Sequence, residues 1–445
     1  MMKLRKNGRK KKKLSVQKIF NLVSFIFIMS CILFYGTRFI KLYKQNNTVN
    51  KITFIGDTIK KNNKLKLVNG DYYFYGKDVN NYVSYSNLLW RIIKVTDENT
   101  VTLVLDNSIT SLAKGTNKTF EETNINKWLN TSGKDNTGIL EKALNNVQKY
   151  LTETNTCTDN ITDAKKITCQ KTTTDTYITI PSLNDYVNTG STESFLNNEE
   201  YYYLINNEKE NTSWCVDKDG KISTSDGTDI LGIKPIITIK NNIQVTGGNG
   251  NKENPYIFEE STGLTGGYVK LDNDIWRIYK EENDLVKLSL DNYLIIDNEE
   301  TKNKYSNSNY NYNDKVSDSL AYFLNKTYLN KLKYKNIIEE AEYSNGIYNN
   351  TNDYNYIETL NTKIKTKVAV PSIGDIILNN TNSNYFLSTG VAKDNNMIYT
   401  MQNDFKLYTK ISTTNLKIVP VIAIKKDLLT GIGTISSPYE VNYEQ

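Results

Sequence analysis

The stretch LLWRIIKVTDENTVTLVLDN, residues 88–107, returns in altered form as DIWRIYKEENDLVKLSLDN at 274–292. Each copy places a Trp-Arg-Ile core before an acidic polar turn, continues with alternating apolar residues and closes on Asp-Asn. Val101, Leu103 and Leu105 correspond to Val286, Leu288 and Leu290, while Thr102 and Val104 give way to Lys287 and Ser289. A period of two with one constant apolar face reads as a strand with one buried side. The turn is one residue shorter in the second copy, which a surface hairpin absorbs; in a helix the same deletion would rotate half of the apolar stripe away.

The repeat extends outward from this core. INKWLN, ending at Asn130, answers LAYFLN, ending at Asn325; DTYITIPSLNDYVNT at 175–189 answers KTKVAVPSIGDIILN at 365–379. LGIKPIITIK and its continuation to 259 answer LKIVPVIAIK and its continuation to 441. Order is kept throughout, so the pattern is a tandem duplication of a long unit, unlike a solenoid with its periods of roughly 20–50 residues. Helices are expected within 121–151 and 315–340, N-caps at Ser182 and Ser372, a hairpin turning at Asp219 and Gly220, and strands starting at Pro235 and Pro420.

At 445 residues the chain suits about two to three domains. Histidine is absent, which excludes Ser-His-Asp, Cys-His and His-metal chemistry. The basic residues before position 45 number twelve with no acid among them, so removing them from a formal net charge of +6 leaves −6 for the rest. No basic face is visible in the folded part, and no nucleic-acid partner is expected.

Residues 19–35, IFNLVSFIFIMSCILFY, form an uncharged apolar run behind the basic KLRKNGRKKKKLSVQK. Extended by its flanks it spans a bilayer as one helix, with the basic side cytoplasmic. The bulky, basic FYGTRFIKLYK that follows lacks a signal-peptidase pattern. The expected order is a cytoplasmic tail 1–18, a transmembrane anchor 19–40, a Lys- and Asn-rich stalk 41–65, and domains 66–260 and 261–445 at the outer face of the plasma membrane. Cys157 and Cys169 flank a polar segment and are candidates for a local disulfide; Cys215, between Trp214 and Val216, reads as a small buried residue of a strand.

Asn81, Tyr82 and Val83 with LLWRI, followed by KWLN, YYYLI, WCVDKDG, GIKPIITI and TGGNGNKENPY, resemble an uncharacterised family of bacterial surface domains. The match covers most of residues 71–259. Across 261–441 it is looser: Tyr399 stands for Trp214, the Asp-Gly turn is missing, and IVP replaces GIKP. The resemblance implies a C-type-lectin-like fold shared with formylglycine-generating enzymes. The expected architecture is therefore α+β, two tandem lectin-like domains behind the anchor, each a small antiparallel sheet with helices and long loops. The calcium-binding motifs of such lectins are not found in working context, and the oxidase cysteine pair of the related enzymes has no counterpart, since Cys157 and Cys169 lie in a polar insert.

DKDGKISTSDGTD also fails as an EF-hand, because counting from Asp217 glycine falls fourth and Thr228 twelfth. No metal, cofactor or catalytic residue is expected. The 32 tyrosines, many clustered with asparagine, offer stacking faces and adaptable hydrogen bonds, although AT-rich codons account for much of that composition. Tyr202, Trp214 and Asp217 are the candidate ligand-binding residues of a non-catalytic protein recognising an extracellular glycan, peptide or protein. The alternatives are an envelope enzyme using carboxylates or tyrosines on a polymer, and a structural spacer.

Overall fold

The computed structural model describes residues 29–30, 54–61, 64–115, 119–258, 263–297, 299–307, 312–348, 362–379 and 384–443. The expected tail and anchor lie outside the described residues apart from Met29 and Ser30, and no helix among the described residues is long and apolar enough to cross a membrane. Residues from Phe54 to Gln445 form one compact unit, a mixed α+β protein built mostly of β-sheet with a few short helices. This unit begins inside the stretch read as stalk. Ile55 and Ile59, four residues apart on the Ile55–Ile59 helix, are both fully buried, because that spacing puts them on one helical face.

The opening stretch forms the expected hairpin. Leu88–Val95 pairs with Val101–Leu105, Trp90 opposite Leu105, with a bulge between Ile92 and Lys94. Asp274–Glu282 pairs with Leu285–Leu290, Trp276 opposite Leu290, with a bulge between Ile278 and Lys280. The turns contain Asn99 and Asn283, both at positive φ, a conformation asparagine tolerates. Burial departs from the expected single face: all of Val101–Leu105 is buried, as are Lys287 and Ser289. These strands are central, so their polar positions hold partners instead of meeting water. Thr102 meets Thr238 at 3.5 Å, and the Lys287 ammonium lies 2.6 Å from Glu282 and donates to the Glu342 carbonyl.

Two kinds of sheet recur along the chain. In the first half Tyr256–Ile257 lies parallel to Tyr82–Tyr85, followed by Leu88–Val95, Val101–Leu105 and Ile236–Ile239. In the second half Tyr439–Val441 lies parallel to Tyr268–Leu271, followed by Asp274–Glu282, Leu285–Leu290 and Val421–Lys425. A separate sheet orders Ile222–Ser225, Thr212–Val216, Tyr202–Lys209, Leu231–Ile233 and Thr110–Leu112. Its counterpart orders Tyr408–Ile411, Asp394–Met401, Tyr385–Val391, Leu416–Lys417 and Lys302–Asn303.

The short motifs have matching physical roles. Asn130 donates to the Ile178 carbonyl at 2.8 Å and accepts from its amide at 3.0 Å; Asn325 does the same to Val368 at the same two distances. Each asparagine amide thus substitutes for a strand residue at a sheet edge. The expected helical stretches hold short helices: Asn124–Leu129, Ile139–Ala143 and Val147–Tyr150 in one half, and in the other Leu320–Tyr322 continuing into a π-helical Phe323–Tyr328. Ser182 caps Leu183–Asn188 by accepting from the Asp185 amide, whereas Ser372 begins a turn closed by Asp375.

The arginine of each Trp-Arg-Ile core explains why the Asp-Asn ending travels with it. Arg91 lies 3.9 Å from the ring centre of Tyr82, donates to its hydroxyl at 2.9 Å and faces Asp106 at 3.4 Å. Arg277 lies 3.9 Å from the ring centre of Tyr268, donates to its hydroxyl at 3.0 Å and faces Asp291 at 3.9 Å. A nearly buried guanidinium requires both the aromatic face and the carboxylate to offset its lost hydration.

Candidate functional site

A cleft of about 750 Å³ opens between the halves. Residues 106–109, just beyond the first repeated hairpin, form part of its lining. Behind them the fully buried Lys234 donates to the Asp106 carbonyl at 3.1 Å and to Asn198 at 2.8 Å, and pairs with Glu200 at 3.3 Å. Glu200 also accepts the Ser108 amide at 2.8 Å. Burial pushes the Lys234 ammonium down, and the charges of Glu200 and Asp106 act against that shift. These contacts fix the peptide that the cleft presents. Ser108 carries a buried hydroxyl that has no hydrogen-bond partner among the described residues.

The second half supplies the facing wall through residues 377–379, 385, 401–403 and 405. It is tied to the first half by backbone bonds: Ile377 donates to Ile109 at 2.7 Å, Tyr201 to Asp404 at 2.8 Å and Leu407 to Ile230 at 3.0 Å. The Ser111 hydroxyl adds a bond to the Phe405 carbonyl at 2.6 Å. Phe405 has φ 57°, and Glu199 across the cleft has φ 65°. An aromatic residue held in the left-handed region costs on the order of 1–3 kcal/mol, and such strain persists where surrounding contacts impose it.

Gly232 explains the glycine of GIKP. A Cβ there would lie 2.5 Å from Ser108 Oγ, 2.6 Å from the Tyr201 carbonyl and 2.9 Å from Phe405 Cβ. Lys417 stands at the matching place, opposite Tyr385. Gly232→Ala is therefore expected to destabilise the protein by about 1–3 kcal/mol through overpacking and to loosen the cleft. Urea unfolding checks the first effect, and amide exchange in 402–407 the second; an unchanged exchange pattern would show that the loop does not depend on this approach.

The cleft is rich in neutral polar groups. Asn107 and Asn403 are exposed on opposite walls, Asn379 donates to the Tyr385 hydroxyl at 3.2 Å, and Tyr268 stands on Arg277. Two of its acids are already engaged, Asp106 with Arg91 and Lys252, and Glu200 with Lys234. Glu199 and Glu253 are exposed at the cleft lining. This set suits hydrogen bonding to hydroxyl and amide groups.

The three residues singled out in the sequence do not line this cleft. Tyr202 is fully buried, with Lys234 5.1 Å from its ring centre and its hydroxyl donating to Leu196 at 3.3 Å. A tyrosine on a central strand fills the core, so its abundance in the sequence misdirects the surface reading. Trp214 is half-buried and donates to the Ile161 carbonyl at 2.7 Å. Asp217 accepts from the amides of Asp219 at 2.9 Å and Lys221 at 2.8 Å, closing the Asp-Gly turn. All three have structural partners. The residues that do line the cleft could have been approached through the Asp-Asn that closes the first repeat and through Lys234, a lysine where the second half has the buried Val419.

Cys157 and Cys169 form a disulfide, with Cα atoms 5.7 Å apart. They and Asp159 are the one group with metal-ligand proximity among the described residues, but bonded cysteines offer no thiolates. Trp214 and Asn206, which donates to the Cys157 and Asp159 carbonyls, dock this insert on the sheet. Cys215 is a free, buried cysteine whose thiol is pushed up by burial. Comparison with protein-family models, curated proteins and solved structures found no match to this chain.

Proposed function

We propose that this chain is a membrane-anchored surface protein that binds an extracellular glycan, without catalysis, in the cleft between two copies of one lectin-like module. The observation that carries the reading is the cleft itself, lined by asparagines from both halves and by Tyr268 and Tyr385 of the second, and held open by backbone bonds between the halves. Duplication is supported by the repeated strand order, the paired bulges and the matching roles of Asn130 and Asn325. The anchor rests on the apolar run 19–35 and its basic flank. A binding role is favoured over hydrolysis by the engagement of Asp106 and Glu200 in ion pairs.

The test is binding of the full chain to an array of neutral oligosaccharides. Asn107→Ala and Asn379→Ala should each lower affinity by about tenfold, the worth of one to two hydrogen bonds, while Trp214→Phe leaves affinity unchanged. Binding that ignores both asparagine variants and responds to Trp214 would remove the cleft from consideration. Release of new reducing ends during the assay would replace binding with hydrolysis.

A further inference from the structure

A second cavity, of about 400 Å³, adjoins the first. Its lining includes Asn80, Tyr82, Arg91 and Asn251, and it shares Lys252 and Glu253 with the cleft. The shared residues belong to the glycine-rich turn that ends the first half. Gly248 and Gly250 have positive φ there, and a Cβ on Gly250 would strike the Tyr256 ring at 2.6 Å. Lys252 is an exposed side chain with its ammonium 3.7 Å from Asp106 and 6.0 Å from the Tyr82 ring centre. It stands as a divide between the cavities.

The two cavities are built on the same repeated wall. One faces Tyr82 stacked on Arg91 beside the 248–256 turn; the other faces Tyr268 stacked on Arg277 beside the 431–439 turn. The Tyr82 amide donates to the Gly250 carbonyl at 2.8 Å, and the Tyr268 amide donates to the Gly433 carbonyl at 2.9 Å. Lys252 of the first turn and Ile435 of the second both line the cleft, Ile435 being largely exposed. The duplicated unit therefore provides a ligand-facing wall twice, and both volumes fall in the ordinary range for small-ligand sites, about 300–1,000 Å³.

We infer that the two cavities are consecutive subsites of one groove, and that the ligand is an extended glycan chain crossing Lys252 and Glu253, not a terminal sugar or disaccharide. This rests on the cleft being the binding site. Asp106 couples the subsites, since it faces Arg91 and Lys252 on one side and lines the cleft on the other. The second subsite presents Lys64, Lys77, Arg91 and Lys252 against Asp78 and Glu253, whereas acids outnumber bases along the cleft. A chain reaching the second subsite gains the hydrogen-bond donors of Lys77, Asn80 and Asn251, which a short one does not meet.

The experiment compares two- and six-unit chito-oligosaccharides on the full chain by calorimetry. The six-unit probe should bind about tenfold tighter or better, as a second contact on an already held chain does. Asn80→Trp, an exposed position that fills the second cavity, should bring the six-unit probe down to two-unit affinity and leave the two-unit probe unchanged. Equal affinity for both lengths, or an Asn80→Trp variant that keeps the length effect, overturns the groove while sparing the cleft. Failure of both probes and of oligogalacturonate to bind at all overturns the glycan reading and this inference with it.

Discussion

Glu200→Ala should destabilise the protein by about 3–5 kcal/mol, the loss typical of removing one partner of a buried ion pair. Glu200 and Lys234 are both almost without solvent contact. Among the described residues the variant leaves the ammonium the Asp106 carbonyl and Asn198 as acceptors, and it frees the Ser108 amide in the cleft lining. The loss should shrink when Lys234→Met is added, because a matched apolar replacement removes the stranded charge along with its partner. The second half carries out that replacement naturally with Val419. Urea unfolding of both variants measures it; a single variant within about 1 kcal/mol of the parent would mean that water reaches Lys234.

Stability should rise with pH from neutrality to about pH 9 and fall above about pH 10. Lys114 is buried with no carboxylate of the described residues acting on it; its ammonium donates to the Ile205 carbonyl at 2.8 Å and to Asn207 at 2.9 Å. Burial lowers its pKa from 10.5 to about 7. Below that value both folded and unfolded chains hold the proton, and the fold carries the full cost of the buried charge. Between about 7 and 10.5 the folded chain has released a proton that the unfolded chain retains, so each pH unit adds about 1.4 kcal/mol, to a limit of the order of 5 kcal/mol. Lys234, also lowered by burial, adds in the same direction.

The fall at higher pH has a different source. Tyr202, Tyr203, Tyr279 and Tyr312 are buried, and burial raises their hydroxyls well above 10. Once the unfolded chain ionises its tyrosines near 10, the folded chain binds more protons and loses ground. Lys114→Met should remove most of the rise, leaving the part due to Lys234, and keep the fall. Urea midpoints from pH 6 to 10.5 decide the matter: parallel curves for parent and variant would place a counter-charge or water beside Lys114.

The parts of the fold legible in the sequence were those set by local pattern. Trp90 and Trp276 identified the hairpins because period two survives wherever one strand face is apolar, and the Asp-Gly turn and the strands after Pro235 and Pro420 follow from backbone preference. What pattern could not supply was the second covering of those strands, since Lys287 looks like a solvent residue until Glu282 and Glu342 meet it. The cleft was hidden for a related reason. Its walls come from residues nearly 300 positions apart, such as Ser108 and Phe405, and no spacing rule links them. Tyr202, Trp214 and Asp217 attracted attention by residue type, yet burial and local hydrogen bonds decide what a residue type does.

The docking of residues 402–407 on the first half sets a timetable. A chain that emerges from its N-terminus reaches Tyr256, the last sheet tyrosine of the first half, well before Phe405 exists. At about 5–20 residues per second, the delay between those two positions is on the order of 10–30 s. During that interval the positions later covered by Phe405 and Asp404, at Gly232 and Tyr201, have no cover. The first half must wait in a partly open form, and its productive folding is coupled to the arrival of a loop made near the end of synthesis.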